Sequence, residues 1–279
     1  MIEVLAADRV FLDYGPMQVH LKADRLGKGM TTELQEAAAY GIEMLKELAE
    51  VLPLAKDKRT LAYPNPDNLP LPLRLMIEAV LVTKDQTLTP MAAVAGTFSD
   101  LLADWLVAQG ATKVLINNGG DIAVRLLENQ KTKIGLTPSI EAPSFTHILQ
   151  LEAANKVGGI TTSGFGGRSF TQGIASAVTV LARTSRVADA CATLIGNYCY
   201  AEDPGIIRVS AETLDPNTDI LGLPVTVSIG ELRPETPSLA MSSGLLKAKE
   251  LYHEGIIQGA VIFIGSQVAM LPEGLCQAI

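Results

Sequence analysis

Apolar residues change their spacing along this chain in blocks, and the order of the blocks limits the fold more than any single motif does. From Thr31 to Leu54, and again over Leu73–Thr83 and Met91–Gln109, they recur every three to four positions, the period of a helix with one face in a core. Thr32-x-x-Gln35 gives the first of these a capping-box pattern. The prolines of AYPNPDNLPLP (62–72) mark a connecting loop. Other segments read as strands. Residues 9–23 form a hairpin turned at Tyr14–Gly15–Pro16, and 112–117 and 121–127 lie on either side of a turn at Asn118–Gly120. Residues 131–136 and 146–152 are weaker strands, followed by 174–182, 223–229 and 260–269. Helices are expected over Ser185–Tyr198, with Ser185 as N-cap, and over Ser242–Glu254. Helical and strand blocks do not alternate as a doubly wound sheet requires, so the expected class is α+β.

Aromatic residues make up only 5 % of the 279 positions, so a core must be built from Leu, Ile, Val and Ala. A chain of this length can bury roughly 75 % of its unfolded surface in one core, and a single domain over 1–279 is expected. The net charge of −8, with no long basic run, argues against nucleic acid and against anionic membrane surfaces as partners. It leaves room for a small anionic ligand held by backbone N–H groups. No apolar run reaches the length of a membrane span. Three cysteines without metal spacing (Cys191, Cys199, Cys276) read as reduced thiols, and the opening MIEVLAADRVFLDYG has no basic segment before an apolar one; a cytoplasmic location is expected. Whether the chain forms a homo-oligomer stays open.

Two segments echo each other. ADWLVAQGATKVLINNGGDIAV (103–124) and AKELYHEGIIQGAVIFIGSQVAM (248–270) both read helix, glycine, strand, small-residue turn, strand. Two similar halves within one domain would produce this pattern. The first carries Asp121 after its turn, where the second has Gln267.

Several short stretches could carry chemistry. In NNGGD (117–121), Asn-Gly and Gly-Gly are residues of a tight hairpin turn, because both central positions need positive φ. The same glycines would let a ligand approach the backbone while Asn118 or Asp121 accepts a hydrogen bond from it, and both readings stay open. In RVADACATL (186–194), Asp189 and Thr193 share a helix face. A carboxylate beside a hydroxyl offers hard oxygen ligands suited to Mg²⁺; the alternative is a carboxylate favouring its own helix N-terminus, worth roughly 0.3–1 kcal/mol. In GGITTSGFGGRSFTQGIASAVTVLA (158–182), Thr161, Thr162, Ser163, Gly164, Gly166, Gly167 and Arg168 could hold a phosphate with glycine-bared N–H groups and one guanidinium, the alternative being a flexible loop. The three histidines, His20, His147 and His253, lie far from every motif and support neither a triad nor a metal site.

In order along the chain stand GTFSD (96–100), NNGGDI (117–122), ITTSG (160–164), SAVTV (176–180) and ADACAT (188–193). Their order and spacing resemble the ApbE family, the FAD:protein FMN transferases, whose pattern reads roughly GYAVD, LVNxGGDI, TSG, SVTV, ADAxxT. The resemblance covers about residues 90–200 and points to a small cytoplasmic branch found in anaerobes and archaea. It implies an α+β, T-fold-like architecture with mixed or antiparallel sheets and packed helices. By that resemblance, Asp189 and Thr193 are the Mg²⁺ ligands. Asn118, Gly119, Gly120, Asp121, Thr162, Ser163, Gly164 and Arg168 lie along an FAD or FMN nucleotide. No residue is assigned a catalytic role.

The chain also departs from the family pattern. Between TSG and the SVTV match only FGGRSFTQGIA (165–175) intervenes, without the family's His-Ile-x-Asp-Pro segment, and the Lys that precedes GYAVD is absent, since Val94–Ala95 precede Gly96. The expected function is therefore Mg²⁺-assisted binding of a flavin nucleotide or similar diphosphate, without covalent transfer of FMN to protein. The alternative is a non-catalytic accessory protein in sulfur-amino-acid (homocysteine) formation.

Overall fold

A computed structural model describes residues 1–127 and 129–279. The chain opens with strands β1 (Ile2–Ala6), β2 (Arg9–Tyr14), β3 (Met17–Arg25) and β4 (Lys28–Gly29). Helices α1 (Thr31–Glu50), α2 (Leu52–Ala55), α3 (Leu71–Leu81) and α4 (Val94–Ala108) follow, the last entered through a 3-10 turn at Pro90–Ala93. Next come β5 (Lys113–Asn118), β6 (Asp121–Leu126), β7 (Lys131–Leu136), β8 (His147–Glu152), β9 (Gly159–Ser163) and β10 (Ala177–Ala182). Helix α5 (Ser185–Tyr198), β11 (Ile206–Ser210), β12 (Pro224–Ile229), α6 (Thr236–His253), β13 (Ile257–Ile264), β14 (Gln267–Leu271) and β15 (Gln277–Ala278) complete the order.

One large antiparallel sheet runs β1-β2-β3-β5-β6-β9-β10-β13-β14, with β4 paired to β3. Its strands alternate strictly between two cores. Val114, Ile116, Ala123, Val178, Val180, Ala260 and Ile262 face the helices. Val124, Ile160, Ala177, Leu181, Val261 and Phe263 face a second core with Leu149 and Leu151, which belong to the small sheet β15-β8-β7. Helices, large sheet and small sheet thus form three layers, and the α+β class follows.

The echo between segments extends to the whole topology. β2–β3, α1, α4 and β5–β6 form a hairpin–helix–helix–hairpin unit, and β9–β10, α5, α6 and β13–β14 repeat it with the same strand order. β6 and β9 join the two units through Ile122↔Ile160 and Ala123↔Gly159. The registers Val19↔Asn118 and Ala177↔Phe263 place the Gly15–Pro16 and Gly119–Gly120 turns, the 164–176 loop and the Gly265–Ser266 turn at one end of the sheet.

Some local expectations change. The turn in NNGGD is the two-residue Gly119–Gly120, with φ of 68° and 110°, and Asn118 pairs with Asp121 inside the ladder. The Thr32-x-x-Gln35 box is not used: α1 begins after Met30 without a side-chain cap, and Thr31 Oγ1 instead donates to Ala7 O. Ser185 is not an N-cap either. Thr184 holds that position without a side-chain bond, because a carboxylate from another helix does the work. β1, β9 and β11 were not expected; the glycines and threonines of 159–163 hide a strand that its neighbours complete. Helix α6 starts six residues earlier than its apolar pattern suggests, at Thr236. Pro90–Ala108, an apolar stretch interrupted by Asp100 and Asp104, is long and apolar enough to cross a membrane by length and composition alone. More than half of it is buried in the protein, where Phe98, Leu102 and Leu106 fill the helix-side core.

Candidate functional site

Helices α4 and α5 meet at their N-terminal turns and cap each other. A Cβ on Gly96 would lie 2.4 Å from Ser185 O and 2.8 Å from Asp189 Cβ, so only glycine permits the approach. Asp189, in the second turn of α5, accepts from Gly96 N at 2.9 Å, with the Ala95 N–H beside it. Asp100, in the second turn of α4, accepts from Ser185 N and Arg186 N, both at 3.0 Å. Each carboxylate satisfies N–H groups that a helix start leaves orphaned. Asp100 is fully buried and also takes Arg125 Nη2 at 2.9 Å and Arg186 Nη1 at 3.0 Å, so its charge is compensated.

Asp189 has no such partner. The carboxylate it faces is Asp121, the first residue of β6, whose side chain lies on the helix face with that of Ala123 by strand alternation. Extending the β6–β9 register by one step sets Asp121 abreast of Thr161, which faces the same way. Asn118, two residues after Ile116 on β5, also points to the helices; its Nδ2 reaches Ala95 O at 3.4 Å. Ser99 Oγ donates to Asp121 O at 2.7 Å and ties α4 to the strand. Asn118 Oδ1 and Thr161 Oγ1 are buried without a hydrogen-bond partner among the described residues. The result is a cluster of oxygen atoms at the turn end of the sheet, at the junction of the two repeated units.

Electrostatics there are unbalanced. Burial pushes the Asp121 carboxyl up to about 7, against the pull of Arg168 and the Thr162 N–H. Burial and the facing Asp121 raise Asp189 well above the ordinary carboxylate range, against the N–H groups of Gly96 and Ala95. As whole residues, Asp121 and Asp189 are partly buried. Two carboxylates that resist ionising together would gain from a cation between them.

The other expected residues divide. Gly119 carries the Arg168 guanidinium directly on its backbone, whereas the Cβ position of Gly120 is open. Thr162 points to the opposite face of the sheet and bonds Thr179 Oγ1 at 2.8 Å, so only its backbone turns toward Asp121. Ser163 lies on the helix face by alternation and is partly buried. Gly164 is buried, and its Cβ would lie 2.5 Å from Ser176 O. Thr193 stands one turn beyond Asp189 on α5, partly buried. Most of the glycine-rich stretch serves internal packing: Cβ atoms on Gly158, Gly159 and Gly173 would lie within 2.2 Å of Arg183 O, Ser185 Cα and Gly196 O. Beside the oxygen cluster, the backbone that faces open space is that of Gly120. The sequence offers Thr161 as one hydroxyl of the phosphate-holding stretch without placing it along the nucleotide or beside the carboxylates; that position follows only from the pairing of β9 with β6. Sequence reasoning missed Asp100 and Gly96, whose roles exist only once α4 and α5 cross.

Concave sites elsewhere lack this chemistry. A cavity of about 240 Å³ is lined by Val107, Val124, Arg125 and Val157. One of about 350 Å³ lies between Lys113 and the β7–β8 ladder. Among the described residues no group of three or more His, Cys, Asp or Glu side chains is arranged to hold a metal. A cation at Asp121 and Asp189 would therefore depend on neutral oxygens and on a ligand's own oxygens.

A family model described as AbpE bacteria matches residues 2–270. A UPF0280 protein of Methanococcus maripaludis strain C6 is 36 % identical over 169 residues, 60 % of this chain and 66 % of that protein. A UPF0280 protein of Methanothermobacter thermautotrophicus is 38 % identical over 134 residues, 48 % of this chain and 50 % of that protein. The chain thus spans between half and just under two thirds of the length of these curated relatives. Among solved structures, the apo flavinyl transferase ApbE of Pseudomonas stutzeri matches with a TM-score of 0.41 and 16 % identity, over 70 % of this chain and 83 % of that one. The flavin transferase ApbE of Vibrio cholerae matches at 0.38 and 16 %, over 70 % and 87 %.

Proposed function

The chain belongs to the AbpE bacteria family, and from that premise we propose that it binds a flavin nucleotide, or a similar diphosphate, together with Mg²⁺ at the turn end of the sheet. The observation that carries the reading is the pair Asp121 and Asp189, turned toward each other beside the unpartnered oxygens Asn118 Oδ1 and Thr161 Oγ1. The donor set is all oxygen, which suits a hard cation and not Zn²⁺. Mg²⁺ is ordinarily held by one or two carboxylates plus substrate phosphates, keeping several waters, so two carboxylates suffice. Asp121 and Asp189 would supply the charge, with Asn118, Thr161 and Thr193 as the neutral oxygens within the same layer. Bound there, the ion would neutralise diphosphate oxygens.

The chain's own groups do the rest. Gly120 offers open backbone to a ligand, Arg168 stands over the adjacent Gly119 as an anion partner, and the α4 and α5 N-termini add positive potential. Calorimetric titration of FAD and of ADP, each with Mg²⁺, into wild type and Asp121→Asn tests the reading. Metal-dependent binding to wild type that weakens at least tenfold in the variant is expected; equal affinities would remove the site.

A further inference from the structure

We infer that Arg168 is an exchangeable internal counter-ion of Asp121, held over the Gly119–Gly120 turn until a divalent cation replaces it, and that the released guanidinium then binds the anion accompanying that cation. This rests on the functional reading above and concerns how the same site is regulated. The guanidinium lies on the turn itself: a Cβ on Gly119 would be 2.0 Å from Arg168 Nη2 and 2.8 Å from Cζ. Its Nη1 is 3.5 Å from Pro16 O in the adjacent turn, a loose contact. Asp121 follows that turn directly, and the charge of Arg168 acts on its carboxylate.

The charged groups facing Asp121 are Arg168, Asp189 and, beyond it, Asp100, which Arg125 and Arg186 already satisfy. Arg168 acts on Asp121, and among the described residues no cation is set against Asp189. Asn118 Oδ1 and Thr161 Oγ1 have no partner among the described residues, although both residues are at least 96 % buried. A divalent ion carries the missing charge and can take neutral oxygens as well. Arg168 and its neighbours from Gly166 to Phe170 are exposed, and among the described residues its side chain is held by the long contact to Pro16 O and by its counter-charge. A freed guanidinium matches phosphate oxygens bidentately.

Titration calorimetry of Mn²⁺ into wild type, Arg168→Ala and Arg168→Lys, without nucleotide, tests the exchange. Removing a unit charge a few ångström from a divalent ion should make Arg168→Ala bind Mn²⁺ roughly tenfold tighter, while Arg168→Lys stays near wild type. Pyrophosphate added to the Mn²⁺-loaded proteins should bind at least fivefold more weakly to both variants. Unchanged or weaker Mn²⁺ affinity in Arg168→Ala, or unchanged pyrophosphate affinity in both variants, overturns the inference and leaves the functional reading standing. Wild type that takes up no Mn²⁺ overturns both.

Discussion

Asp189 carries two loads that pull in different directions. It accepts the Gly96 N–H at the start of α4 and it faces Asp121. Asp189→Asn keeps an acceptor and removes the repulsion; Asp189→Ala loses both. The alanine variant should be less stable than the asparagine variant by about 1 kcal/mol, the ordinary worth of a helix N-cap, and neither should bind Mg²⁺ with nucleotide. Urea denaturation and calorimetry check the two halves separately. Asp121 makes a pH prediction. A carboxyl near 3.9 in the unfolded chain is pushed up to about 7 in the folded one. Between those values the folded state holds more protons than the unfolded state, so stability is full below pH 4 and falls as pH rises toward 7. The slope for one group cannot exceed about 1.4 kcal/mol per pH unit, and partial exposure reduces it. Asp121→Asn should flatten the decline, and Mn²⁺ should reverse it in wild type, as denaturation at pH 5 and pH 7.5 would show.

At the scale of elements, the crossing of α4 and α5 fixes the site. Each helix supplies the carboxylate that caps the other, and Gly96 lets them touch. Asp100 is the structural member of the two, with a fully buried side chain between Arg125 and Arg186. Asp100→Ala strands both guanidinium groups and uncaps α5, which should cost about 3–5 kcal/mol, the usual penalty for breaking a buried ion pair from one side. Asp104 still holds Arg125 at 2.7 Å, so the lower end of the range is expected. A shift in the denaturation midpoint with an unchanged slope would verify it. The β5–β6 hairpin was legible from Asn-Gly and Gly-Gly because turn chemistry is local. The β9 strand was not, because Gly159–Ser163 has no apolar alternation of its own beyond Ile160 and becomes a strand by pairing with β6 and β10.

Across the whole molecule, two hairpin–helix–helix–hairpin units share one sheet, and the carboxylate pair sits where they join. The 164–176 connection closes directly on itself, with Phe165 N on Ala175 O at 2.7 Å, in place of the longer His-Ile-x-Asp-Pro segment of the flavin transferases. Incubation with FAD, Mg²⁺ and a threonine-containing acceptor peptide should therefore yield no covalent flavin, read as the absence of a fluorescent peptide band on a denaturing gel. A flavinylated band would show that another part of the chain replaces the missing segment.

Local signals settled what depends on neighbours in the chain: the helical periods, the Gly119–Gly120 turn, the pairing of Asp189 with Thr193 on one helix face, and the family to which the ordered motifs belong. Only tertiary structure decided which oxygens share a space. Asp121 and Asp189 meet because β6 and α5 face each other across one layer. Thr161 joins them and Thr162 turns away because a strand sends successive side chains to opposite faces. The glycines that look like a ligand's bed in the sequence mostly admit the protein's own helices and strands, because close approach leaves no mark on the chain that distinguishes a partner from a ligand.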